Sequence, residues 1–170
     1  MTTTRDGGAV EVDTDVYRHV VGRLAKGVSV VTTTASGQHH ALTADSVTSV
    51  SLDPVLLLVC VETDARFHDA VIESGTFGVS VLAADQRSTA VWFATPGRPL
   101  PGQMDGTPHT LTPAGVPLID GALSTLECTV RDVYPAGDHS IIVGEVRDAR
   151  LGGDPRAALV HFRGQYSALP

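Results

Sequence analysis

The sequence predicts a mainly β domain: an antiparallel sheet closed into a barrel, with a few short helices. Three observations predict it. β-Branched and apolar segments recur along the chain, separated by turns rich in Gly, Pro, Asp and Ser. These segments follow one another as hairpins and not in strand–helix–strand alternation, so neighbouring strands should run antiparallel. Helical spacing of apolar residues is confined to three short stretches, against about seven strand-like ones. With 170 residues, 42 % hydrophobic and 18 % charged, the chain suits one globular domain with a sizeable core.

Residues 1–13 are polar and lack the basic start and apolar run of a signal peptide; they read as a disordered leader, and 14–170 as the single domain. Asp13 or Thr14 can cap a first helix in which Val16, Val20 and Leu24 share a face, with Gly27 as its stop. Residues 28–34 predict a strand, 35–38 a turn, and 39–51 a second strand that ends at Asp53-Pro54. The most apolar segment, 55–62, predicts a central strand. Over 65–74, Phe67, Ala70 and Val71 fall on one helical face, and Gly75 ends the helix. Residues 76–82 alternate as a strand, 85–94 form the third helix, and 95–106 is a Pro- and Gly-rich loop. In 123–134, Leu126, Cys128 and Val130 lie on one face, and Thr125, Glu127 and Thr129 on the other. Pro135-Ala136-Gly137-Asp138 reads as a turn, 140–150 as the returning strand and 159–166 as the last strand.

The net charge of −7 argues against nucleic acid or an anionic membrane as the main partner, since both require a basic face. No apolar stretch is long enough to span a bilayer. Lys26 is the only lysine, read as a coding bias without chemical meaning. Cys60 and Cys128 sit in apolar runs with no CxxC pattern, as two buried free thiols of a cytoplasmic protein would; a disulfide is the alternative reading.

Three segments could carry chemistry. Residues 42–49 combine small side chains, which let a backbone approach a flat ligand, with hydroxyls that suit phosphate or carbonyl oxygens; a solvated Ser/Thr-rich strand has the same composition. Glu62-Thr63-Asp64-Ala65-Arg66-Phe67 opens a helix with a hydroxyl and an arginine, a setting for phosphate or simply an ordinary helix start. Gly137-Asp138-His139 puts a histidine at a hairpin tip. His39 and His40 point to opposite faces of a strand, so no metal site is expected there. Phosphate loops, nucleophile elbows and Cys/His catalytic motifs are absent from the sequence.

Taken in order, several stretches resemble the flavin reductase family with the FMN-binding split-barrel fold. They are Gly22-Arg23-Leu24-Ala25-Lys26-Gly27-Val28, Thr43-Ala44-Asp45-Ser46, Thr48-Ser49-Val50-Ser51-Leu52-Asp53-Pro54, Phe77-Gly78-Val79-Ser80-Val81-Leu82, Leu118-Ile119-Asp120-Gly121-Ala122 and Ala136-Gly137-Asp138-His139-Ser140. The resemblance covers nearly the whole chain. It implies an antiparallel split β-barrel and an NAD(P)H-dependent flavin reductase that passes a hydride from NADH (or NADPH) to free FAD or FMN. The reduced flavin would go to a partner monooxygenase of antibiotic or aromatic-compound metabolism. It also implies a homodimer with the cleft between subunits.

By the same resemblance, Thr43, Ala44, Asp45 and Ser46 lie along the flavin ring and ribityl chain, and Cys60, Val61 and Glu62 edge the ring. Thr63, Arg66 and Phe67 approach the phosphate end, His139 faces the nicotinamide, and His161, Arg163 and Tyr166 close the site. The chain departs from the family at Asp45, where Asn is usual, and at Trp92, where an arginine is. An ionised Asp45 cannot donate a hydrogen bond, and its charge should disfavour an anionic reduced flavin. Alternatives from other classes are a flavin-binding or storage protein without turnover, and an oxidase of the pyridoxamine-phosphate type.

Overall fold

The computed structural model describes residues 12–153 and 156–170. The predicted leader lies outside the described residues, except for Val12 and Asp13. Asp13 caps α1 (Thr14–Val21): its carboxylate accepts the Asp15 and Val16 amides at 2.8 and 3.2 Å. The helix ends at Gly22 and not at the predicted Gly27, because Lys26–Gly27 forms a short strand, β1, paired with β11 (Ala158–Phe162) from the far end of the chain.

The main sheet has seven antiparallel strands in the order β3 (Gln38–Ala44), β2 (Ser29–Ala35), β6 (Thr76–Val81), β9 (Ser124–Ala136), β10 (His139–Leu151), β5 (Val55–Glu62), β4 (Thr48–Leu52). Its two edges, β3 and β4, are consecutive in the chain. Residues 45–47 carry the backbone from one edge to the other and bring the sheet round on itself. The single strand predicted over 39–51 is therefore two strands with a crossover between them. Ser46 fixes that crossover: its hydroxyl donates to the Cys60 carbonyl at 3.0 Å and accepts the Cys60 amide at 3.1 Å.

β5 covers the predicted span, but it lies one strand from the sheet edge and is not central. Only Leu57, Val59 and Val61 are buried; Leu56, Leu58 and Cys60 alternate onto a partly open face, and Val55 is exposed where the strand begins. The β9–β10 turn is tighter than predicted. Pro135 and Ala136 belong to β9, and Gly137, with φ of 70°, and Asp138 make the reversal. The predicted last strand is a hairpin of β11 and β12 (Gln165–Leu169), since Arg163-Gly164 turns with both φ values positive. A small hairpin of β7 (His109–Leu111) and β8 (Pro117–Ile119) was hidden among Pro and Gly.

α2 (Arg66–Ser74) buries Phe67, Ala70 and Val71, as its spacing requires, and ends at Gly75 in the left-handed region. α3 (Arg87–Ala94) follows a 3-10 turn at Ala84–Gln86 and buries Ala90 and Phe93. Two apolar clusters form the interior. One, around Phe77, Val59, Ile142 and Cys128, fills the barrel under α2; the other, around Val28, Leu82, Phe93 and Leu159, lies under α3 and the C-terminal hairpin. Between them opens the cleft described next.

Candidate active site

Two adjoining hollows share Leu42, Glu62, Ala65, Ala94 and Pro96 on their common wall. The first encloses about 460 Å³, and Thr43, Ala44, Asp45, Ser46, Cys60, Glu62, His139, His161 and Tyr166 all line it. Segments distant in sequence meet here for a topological reason. The crossover at 45–47, the end of β5, the start of β10 and the C-terminal hairpin all reach the same end of the barrel. The second hollow, about 290 Å³, holds Arg66 and Phe67, together with His40 and Arg98.

Asp45 is the electrostatic centre of the first hollow. Its Oδ2 lies 2.6 Å from Lys26 Nζ and 2.9 Å from His161 Nδ1. Lys26 and His161 are register partners on β1 and β11, so the short strand that ended the first helix early also delivers the counter-charge. Burial alone would raise the Asp45 carboxyl, but hydrogen bonds and charge from Lys26 and His161 outweigh it and hold the group below the usual carboxylate range. The Tyr166 ring centroid stands 5.5 Å from that of His161, and the Arg87 guanidinium carbon lies over the Tyr166 ring, 6.0 Å from its centroid. Burial and then the Asp45 carboxylate raise the Tyr166 phenol.

His139 starts β10 directly opposite Glu62 on β5. Its Nδ1 is 2.7 Å from Asp138 Oδ1, which fixes the ring at the mouth of the hollow. The Asp138 carbonyl also accepts the Thr63 amide at 3.0 Å and the Thr63 hydroxyl at 3.2 Å, tying the hairpin tip to the segment that opens α2. Thr43 donates its hydroxyl to the Ala90 carbonyl at 2.7 Å. With Ser46 bonded to Cys60, both hydroxyls are donors within the protein, leaving the wall itself formed by backbone and by small side chains.

Three predicted residues are placed apart from this set. The Val61 side chain is buried in the core, so only its backbone can edge the hollow. Thr63 is exposed and does not line the hollow. Arg163 sits at the C-terminal hairpin turn, in a separate hollow with Arg18, His19 and Arg23, where its amide donates to the Gly22 carbonyl at 2.8 Å. Trp92 lines neither hollow; its indole N–H donates to the Gln103 carbonyl at 2.9 Å.

Both cysteines are free, but only Cys128 is fully buried, its thiol pushed up to about 12 by burial and then by Glu127. Cys60 is half-buried and lines the first hollow, a correction to the expectation of two buried thiols. Sequence reasoning missed Lys26 and Arg98. Being the only lysine was the available signal for Lys26; Arg98, inside a Pro- and Gly-rich loop, carried none.

Residues 21–170 match the flavin reductase like domain. The chain belongs to the flavin reductase-like family. It is 39 % identical over 174 residues to an NADH-dependent flavin reductase from a Rhodococcus species, covering 95 % of this chain and 92 % of that one. Among solved structures it resembles the flavin reductase component of a bacterial two-component tryptophan halogenase, with a TM-score of 0.87 and 47 % identity over 93 % of this chain and 99 % of the other. It also resembles an NADH:FAD oxidoreductase of Streptomyces globisporus solved with NAD and FAD fragments, with a TM-score of 0.85 and 38 % identity over 91 % and 92 %. The barrel that the sequence predicted is the split barrel of this family.

Proposed function

We propose that the chain is an NADH-dependent flavin reductase that reduces free FAD or FMN and supplies the product to a partner monooxygenase. The observation that carries this reading is the first hollow: a cleft of ligand size, walled by Ala44, Ala65 and Ala94, whose one strongly placed carboxylate is already neutralised by Lys26. Such a wall accepts a flat, uncharged ring by shape. The named activities of the family relatives support the same reaction, and disfavour the alternatives of a storage protein or a pyridoxamine-phosphate oxidase.

The flavin and nicotinamide supply the hydride chemistry between nicotinamide C4 and flavin N5, with flavin as a substrate that enters oxidised and leaves reduced. The protein aligns and shields. The Thr43–Ser46 backbone, Cys60 and the Glu62 end of β5 form the seat for the ring. Val61 contributes through its main chain. Thr63 acts indirectly, holding the hairpin tip. His139, oriented by Asp138, positions the nicotinamide amide or ribose over that seat and so lowers the barrier through alignment. His161 and Tyr166 close the far side, and Asp45 holds His161 in place. Arg66 and Phe67 stand where the phosphate end leaves the ring. Arg163, like Thr63, stands where a direct role is not favoured.

Two further features support a homodimer. α1 buries none of its residues, leaving Val16, Tyr17 and Val20 exposed, and Val50, Leu52 and Val55 form another open apolar patch at the sheet edge. Free thiols fit a cytoplasmic setting; no helix among the described residues is long and apolar enough to cross a membrane. Steady-state NADH oxidation with FAD, FMN and riboflavin tests the activity: turnover is expected only when free flavin is added, and a protein inactive with every flavin and both nicotinamide dinucleotides would overturn it. Sedimentation tests the dimer, which an active monomer at micromolar concentration would refute.

A further inference from the structure

Outside the cleft, three side chains of α2 and β10 form a chain of hydrogen bonds. His68 Nε2 lies 2.9 Å from Ser140 Oγ, and His68 Nδ1 lies 3.1 Å from Asp69 Oδ1. A carboxylate can only accept, so in the neutral ring Nδ1 carries the proton and the Ser140 hydroxyl donates to Nε2. Serine, histidine and aspartate in this order resemble an activated nucleophile. Yet Ser140 is only 5 % exposed and lines neither hollow, so a substrate held in the cleft does not meet its hydroxyl. The bonds serve to hold one element against another.

What they hold is the strand position next to His139. Alternation along β10 turns His139 into the first hollow and Ser140 toward α2. This end of the hairpin has little other support. β9 pairs with β6 only over Ser124–Thr129, whereas its pairing with β10 runs on to Ala136, so the tip projects past β6. β5 holds it through the partners Glu62–His139 and Val61–Ser140. Two side-chain ties then bracket His139: the Thr63 hydroxyl donates to the Asp138 carbonyl at 3.2 Å on one side, and His68 meets Ser140 on the other. His68 is a firm anchor, since its own side chain is 13 % exposed and its helix neighbours Phe67, Ala70 and Val71 are buried.

We infer that His68 is a positioning residue for hydride transfer, acting through Ser140 to fix His139 against the nicotinamide. The inference rests on the reductase reading above and adds a residue that lies outside the cleft. Small losses of alignment slow such a step without changing its chemistry.

The test measures anaerobic flavin bleaching at saturating NADH, together with the affinity for oxidised FAD. Bleaching by the unaltered protein establishes the reductase reading independently. His68→Leu, which keeps the volume and removes the ring nitrogens, should slow bleaching roughly three- to tenfold with FAD affinity within about twofold of the unaltered protein. His68→Gln, whose amide can still meet the Ser140 hydroxyl, should recover most of the rate. Ser140→Ala gives a second variant that removes the same tie with a smaller change to the core; its loss should match that of His68→Leu, and the two together should cost no more than either alone. In a His139→Ala background, His68→Leu should have no further effect, because the residue through which it acts is gone. A loss of the same size in that background, equal falls in rate and FAD affinity, no recovery with His68→Gln, or rates within about twofold of the unaltered protein for both single variants would overturn the inference.

Discussion

The two ends of the cleft handle charge in opposite ways. At the Asp45 end, the carboxylate is matched by Lys26 at 2.6 Å and His161 at 2.9 Å, so its charge is met within the protein. At the Arg98 end, two guanidiniums lie on one wall, without a carboxylate partner among the described residues and with one buried donor unpaired there. The difference teaches what each end is for. An end whose charges are satisfied internally can select a neutral ring by shape; an end that is not satisfied needs an anion from outside. On the proposed function, a flavin nucleotide would put its ring at the first end and its phosphate at the second.

The largest expected effect comes from the neutral end. His139→Ala should leave oxidised-flavin binding nearly intact and lower kcat/KM for NADH by roughly ten- to a hundredfold, since lost alignment raises the barrier by about 1.4 kcal/mol per tenfold. Anaerobic stopped-flow bleaching of the flavin isolates this step from product release. A rate within about twofold of the unaltered protein, at unchanged dinucleotide affinity, would make His139 only a turn residue.

A smaller effect sharpens the idea of internal compensation. Asp45→Asn uncovers the Lys26 ammonium and should tighten binding of anionic reduced flavin by roughly two- to fivefold. Lys26→Met uncovers the carboxylate and should weaken it by a similar factor, and the double variant should lie near the unaltered protein. Sequence alone suggested the first direction, but for a bare carboxylate; the structure replaces that cause with an exposed cation. Dissociation constants measured anaerobically decide the matter, and equal affinities in all four proteins would place Asp45 away from the ring.

Which parts were legible in the sequence follows from the range of the interactions that fix them. The span of β5 and the buried face of α2 were readable because apolar spacing and the Gly75 stop are local. The break at residues 45–47 was not, because Ser46 bonds to Cys60 and Asp45 pairs with Lys26 and His161, all distant in sequence. The same long-range pairing of β1 with β11 ended the first helix at Gly22. Eleven of the resemblance-based site positions share the two hollows' walls only in three dimensions; nothing local distinguished Arg163, which turns away, from His161 two residues earlier.

Smaller still is the pH response of the ion cluster. The Asp45 pKa is depressed on folding, so its contribution to stability is present above the ordinary carboxylate value and is lost as pH falls through the folded value. Urea unfolding at neutral pH and in the acid range should show that Asp45→Asn removes about 1 kcal/mol or less of pH-dependent stability. A variant with the unaltered acid response would show that the cluster does not couple to folding. The cysteines give the mildest contrast. A thiol reagent at neutral pH should modify Cys60 before Cys128, and FAD should slow the reaction at Cys60. Labelling of Cys128 first, or no protection by FAD, would contradict the placement of Cys60 on the ring seat.

The contrast between the two ends is tested most directly by the salt dependence of NADH oxidation with FAD and with riboflavin. The formal net charge of −7 repels an anionic flavin overall, so general screening should lower KM for FAD as salt is added. Local attraction by Arg66 and Arg98 acts in the opposite sense. Turnover is expected with both flavins, with a KM for FAD that rises severalfold between low and high ionic strength and a KM for riboflavin that stays flat. A KM for FAD that falls with salt, the same response for both flavins, or no turnover with either would contradict it.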